Sequence, residues 1–207
     1  HGLNHFLSAI DSRILGQRIE LPALRSGGRE FPSEVFILPV GSGPRRFFVA
    51  YVRDLTKRKN AEEGIRQARS DRGTIAALLR LPLGSASFDQ IAEKALSLVF
   101  AGRGATLGTD GAVFLVDDPS GELKPSARRG RGAIPRDTTA QRLCAQAARN
   151  NEVVLADGLY CLPIRGDNKA LGILALSVSQ DYRPAEEEER FLLSVAGILA
   201  PAIGRVR

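Results

Sequence analysis

The sequence predicts an α+β chain: an antiparallel three-strand meander, a connecting helix, and a second domain of antiparallel sheet with flanking helices. Two changes of rhythm carry that expectation. Aromatic and β-branched runs separated by glycine-rich turns fill residues 18–55, whereas apolar residues from Ala61 onward recur at helical spacing. After Ser87, helix-like and strand-like stretches alternate and close on one amphipathic helix, the pattern of a sheet covered on its face.

Taken in order, residues 1–56 read as a helix end followed by strands at Arg18 to Arg25, Phe31 to Val40 and Arg46 to Leu55. The turns Ser26-Gly27-Gly28 and Gly41-Ser42-Gly43-Pro44 are short enough to force antiparallel neighbours. Residues 57–81 form a linker helix. Ala61, Ile65, Ala68, Ile75 and Leu79 make a heptad-like seam, interrupted by Arg72, that suits pairing with a second copy of the chain. Residues 82–207 form the second domain. Ser87 and Gln90 stand as a capping box for its first helix. Strands are expected at Gly111 to Val116, Glu122 to Arg128, Glu152 to Ala156, Leu159 to Ile164 and Lys169 to Val178, and a helix at Thr139 to Asn150 with Leu143, Ala147 and Ala148 inward. The stretch Arg129 to Asp137 reads as a mobile basic loop. The last helix starts at Pro184 as its first helical residue, with Glu186 to Glu189 in the first turn, where the helix dipole favours carboxylates.

Composition narrows the function classes. The 207 residues are 43% apolar and 25% charged, which is ordinary for a soluble globular chain of one or two small domains. The chain opens at His1 and contains no methionine, so it reads as a segment of a longer protein. No apolar run approaches the roughly 18 residues of a membrane span. Two cysteines are too few for a secreted disulfide framework, and the expectation is reduced thiols in the cytoplasm. The formal charge of +6 lies entirely in residues 1–81, but its lysines and arginines alternate with Asp54, Glu62, Glu63 and Asp71 and lack aromatic neighbours on the helix. That pattern describes a solvated helix face, and no nucleic-acid partner is expected.

Ile14 to Glu63, with its Gly27-Gly28 turn, its Glu30-Phe31-Pro32 strand start and its Asp54-Leu55-Thr56 strand end, resembles the C-terminal half of PAS domains. Residues 75–205 resemble a GAF domain, through GAVFLVDDPSGELKP, EVVLAD, YCLPIRGDNKALGILALSV and EEERFLLSVAGILAPAI. The resemblance implies the sensory input region of a bacterial signalling protein, a sensor histidine kinase or diguanylate cyclase. It would be homodimeric and would relay a small-molecule or redox signal to an output domain. Asp54, Leu55 and Thr56 would be the signal-transfer junction.

Candidate chemistry is sparse, and no catalytic centre, metal site or cofactor is expected. Cys144, Tyr160 and Cys161 are the candidates for a pocket in the GAF part, although buried, inert cysteine is the favoured reading of both thiols. His1 and His5 lie where haem-binding PAS domains carry their ligand. Ile19, however, stands where those oxygen sensors have an arginine, so haem is not expected. Gly102-Arg103-Gly104 and Gly130-Arg131-Gly132 lack the strand–loop–helix context and the Lys-Ser/Thr of a phosphate loop and read as flexible loops. The alternative functions are a GAF-type reductase of free methionine sulfoxide, which needs reactive thiols, or a dimerisation module with an empty pocket.

Overall fold

The computed structural model describes residues 15–42, 47–81, 86–104, 106–118, 120–130, 134 and 138–205. His1, His5, Pro82 and most of the basic Arg129 to Asp137 stretch therefore lie outside the described residues, as does the helix end expected before Ile14. The described chain falls into two compact units that meet between Gln67 and Ala68.

The first unit is a three-stranded antiparallel sheet in the order β1 (Arg18–Leu24), β2 (Glu30–Val40), β3 (Phe47–Asp54), followed by the start of helix α1 (Thr56–Leu79). Strand β2 is the central strand and buries Ser33, Val35 and Ile37 on one face, as its period of two requires. Strand β3 is an edge strand exposed along its whole length, including Phe47, Phe48, Val49, Tyr51 and Val52. Register sets the two faces of the sheet: Val35 pairs with Val52, whereas Phe36 pairs with Tyr51. Phe36 thus lies on the face opposite Phe48 and Val52.

The second unit contains a five-stranded antiparallel sheet in the order β5-β4-β8-β7-β6: β4 (Gly111–Val116), β5 (Leu123–Arg129), β6 (Val154–Ala156), β7 (Leu159–Arg165) and β8 (Ala170–Ser177). Helices α2 (Phe88–Arg103) and α4 (Glu186–Ile203) cover one face, and α3 (Thr138–Asn150) covers the other. Because successive strand residues point to opposite faces, Tyr160, Leu162, Ile164, Leu174 and Leu176 fill the core under α2 and α4. Leu159, Cys161, Ile173 and Ala175 fill the core under α3. The capping box forms, with Gln90 N donating to Ser87 Oγ at 3.4 Å and Ser87 N to Gln90 Oε1 at 3.1 Å.

Three local expectations are corrected. Helix α4 begins at Glu186 rather than Pro184; Ala185 occupies the cap with extended backbone, φ −69° and ψ 151°. Helix α1 ends at Leu79, two residues short of the expected boundary, and its second half belongs to the C-terminal unit. Gly102-Arg103 is not a loop but the end of α2, with Gly104 as its C-cap. A Cβ on Gly102 would stand 3.3 Å from Ser70 Oγ and 3.7 Å from Thr74 Oγ1, so the missing side chain lets α2 approach α1 closely.

Candidate functional site

The second unit holds a cavity of about 480 Å³, within the size range of small-molecule sites. Its position follows from the layering. Helix α3 lies over the β6–β7–β8 side of the sheet and leaves the β4–β5 edge open beneath the turn at Gly121. The walls are Phe114 of β4, Leu123, Pro125 and Arg128 of β5, and Ala140, Gln141, Cys144 and Ala145 of α3, with the buried Ile134 closing one side. Apolar groups dominate, and Arg128 supplies a cation that packs 5.9 Å from the Phe114 ring and forms no ion pair among the described residues.

Of the three residues proposed for this pocket from sequence, two meet and one does not. Cys144 lines the cavity and points from α3 to the sheet, where its Sγ lies 3.4 Å from Cys161 Sγ on β7. Both thiols are free and buried. The hydrogen bond between the two sulfurs lowers the pKa of Cys144 from its ordinary value, and the same bond together with burial pushes Cys161 up. Tyr160 precedes Cys161 in a strand and so faces the other core, where its ring packs 5.8 Å from that of Tyr182. No group of three or more His, Cys, Asp or Glu residues is arranged to hold a metal ion among the described residues.

The junction between strand and helix is built as a fastening. Asp54 Oδ1 accepts Thr56 N–H at 2.8 Å, and Asp54 Oδ2 pairs with Arg25 Nη2 at 2.5 Å. Hydrogen bonding from Thr56, and then Arg25, holds the Asp54 carboxyl down at about 2. Leu55 between them is buried, with its N–H donating to Pro32 O at 2.9 Å. One turn into α1, Arg58 and Lys59 bind the two oxygens of Glu20 on β1 at 2.6 and 2.8 Å. These basic residues of the first helical turns are thus paired with carboxylates.

Helix α1 presents two different faces. Thr74 and Leu78 are buried, and Ile75 is half-buried against the core of the C-terminal unit. Ala61, Ile65, Ala68 and Leu79 are exposed, Ile65 and Leu79 each to 64%. Four of the five seam positions therefore form a free stripe, while Ile75 is shared with the domain.

A charge cluster not anticipated from sequence holds the second half of α1. Arg103 at the end of α2 donates from Nε to Asp71 Oδ1 at 3.2 Å and from Nη2 to Asp71 Oδ2, and its Nη1 lies 3.4 Å from Glu188 of α4. Its guanidinium also packs 5.3 Å from the Phe191 ring, and Glu188 accepts from Thr106 Oγ1 at 2.9 Å. One cation thus ties together three helices of the unit. The sequence carried a signal for it: Arg103 and Glu188 both sit at i, i+3 and i+4 spacings to core residues, so each is a charge within an apolar stripe.

No family model matches the sequence, and neither does any curated protein. Solved structures do share the fold. The GAF domain of a phosphoenolpyruvate-protein phosphotransferase from Coxiella burnetii is 19% identical, with TM-score 0.54 over 69% of this chain and 95% of that one. The corresponding domain from Acinetobacter is 14% identical, with TM-score 0.53 over 68% and 94%. A free methionine-R-sulfoxide reductase from Neisseria meningitidis, solved with its substrate, is 16% identical, with TM-score 0.53 over 67% and 88%. The shared portion is about the share of the chain that the C-terminal unit makes up, and its fold is that of GAF domains.

Proposed function

We propose that this chain is the sensory input region of a bacterial signal-transduction protein. In this reading the GAF-fold unit binds a small molecule, and α1 relays its state as one member of a homodimeric helix pair. The cavity of about 480 Å³ beside α3, lined mainly by apolar groups, carries the reading. The N-terminal meander, ending in Asp54-Leu55-Thr56, is read as the C-terminal half of a PAS domain. The exposed stripe at Ala61, Ile65, Ala68 and Leu79 is read as the dimer seam, through which a modest shift in population would reach an output domain such as a histidine kinase. Among the described residues no helix is long and apolar enough to cross a membrane.

The test is a thermal-shift screen of small metabolites against this chain and against Ala145→Trp, whose indole fills the cavity. Compounds that raise the melting temperature of the parent and leave the variant unmoved support the reading. A screen in which every stabilising compound acts equally on both overturns it.

One observation favours a second reading, a reductase of free methionine sulfoxide: the two thiols lie in contact beside the cavity. Turnover of free methionine-R-sulfoxide in the presence of a thiol reductant would establish that activity, and its absence would remove the reading.

A further inference from the structure

Cys144 and Cys161 are the sole cysteines of the chain, and the fold places them in sulfur–sulfur contact across the α3–sheet interface. Their surroundings differ in a way that gives them different roles. Cys144 is one of the residues that line the cavity, whereas Cys161 is not. Cys161 lies on β7, fully buried between strands β8 and β6, with its sulfur against that of Cys144. We infer that the pair is an oxidation site for organic hydroperoxides, with Cys144 as the attacking sulfur and Cys161 as the resolving thiol.

The chemistry closes with the groups present and the peroxide. The Cys144 thiolate attacks the distal peroxide oxygen, the O–O bond breaks, and the departing alkoxide takes up a proton to leave as an alcohol. Cys144 is then a sulfenic acid. The Cys161 sulfur attacks the Cys144 sulfur, the S–O bond breaks, and the Cys161 proton leaves with the hydroxyl as water. Two thiols and one hydroperoxide thus give one disulfide, one alcohol and one water. The thiolate is the reactive form, and the hydrogen bond between the two sulfurs favours it at Cys144. Arg128 and Glu122 place one positive and one negative charge on the same cavity wall. Phe114, Leu123 and Ile134 make that cavity apolar, which suits an alkyl or aryl hydroperoxide.

Geometry gives the step a structural consequence. A disulfide requires sulfurs about 2.0 Å apart, so the pair must close by roughly 1.4 Å. Cys161 lies in the interior of the sheet, so the closure falls on the Cys144 side chain and on α3, which carries Ala140, Gln141 and Ala145 of the cavity wall. Oxidation therefore reshapes the cavity. The reaction does not rest on the relay: a chain that oxidises but transmits nothing keeps this site and loses the proposed function.

The experiment treats the full chain with a small excess of cumene hydroperoxide and then alkylates it under denaturing conditions. The expected result is joint loss of both thiols, with the intact mass lowered by two hydrogens and the species still a single chain. Cys161→Ser should accumulate a sulfenic acid at Cys144 that dimedone traps, and Cys144→Ser should leave Cys161 fully alkylatable. Retention of both thiols in the parent overturns the inference, as does undiminished oxidation of Cys161 in Cys144→Ser. The parent measurement stands alone should either variant fail to fold.

Discussion

Replacing Arg103 with methionine is the most informative single change in the C-terminal unit. The Arg103, Asp71 and Glu188 side chains are 10%, 15% and 7% exposed, so the substitution removes a cation shared by two nearly buried carboxylates. Breaking a buried ion pair from one side costs about 3–5 kcal/mol, mostly because the surviving charge is stranded. Here the lower end applies. Asp71 can turn partly to water, Glu188 keeps its bond from Thr106, and methionine retains contact with the Phe191 ring. A loss of about 3 kcal/mol corresponds to roughly a hundredfold fall in hydrogen-exchange protection of β7 and β8, which report on this unit separately from the N-terminal one. The triple variant Arg103→Met, Asp71→Asn, Glu188→Gln should recover more than half of the loss, because it removes the stranded charges rather than restoring the pair. A fall of less than about fivefold (about 1 kcal/mol), or a triple variant no better than the single one, would show that the cluster does not fasten α1 to α2 and α4.

Further outcomes follow from other contacts. Gly102→Leu should destabilise the same unit by about 1–3 kcal/mol in urea unfolding, because its side chain must displace Ser70 and Thr74; an unchanged midpoint would mean that α1 and α2 separate at no cost. The Asp54 carboxyl has a folded pKa of about 2, below the unfolded value of about 3.9. Its contribution is therefore complete above about pH 4 and lost as the pH falls through 2, and a carboxyl NMR titration with a midpoint near 4 would contradict the fastening by Thr56 and Arg25. Leu78→Ala should cost about 2–5 kcal/mol in urea unfolding, since Leu78 is fully buried in the core, and a loss below about 1 kcal/mol would contradict that packing.

The sequence was legible where the governing physics is local. Turn glycines, the Ser87–Gln90 capping box and the period of two placed the strands and most helix ends to within about two residues. It was less legible where the decisive contact is remote. Gly102-Arg103 resembles a loop by composition, and its place at the end of a helix depends on the close passage of Ser70 and Thr74, some thirty positions earlier in the chain. The Cys144–Cys161 contact joins a helix to a strand across a layer, which no spacing rule announces. Tyr160 is the opposite case, because it and Cys161 are consecutive in a strand and must face opposite sides. Spacing also did not reveal that the α1 seam divides: Ile75 packs against the domain core, and the remaining positions stay outside it.

The claim that α1 relays through a helix pair is tested most directly by sedimentation equilibrium of the whole chain beside the double variant Ile65→Asp, Leu79→Asp. Both positions are 64% exposed, so the substitutions leave the fold of each unit intact while setting four like charges against one another in a paired helix. The expected result is a dimeric parent and a monomeric variant with unchanged circular dichroism. A parent that stays monomeric at high concentration, or a variant that remains as dimeric as the parent, would contradict it.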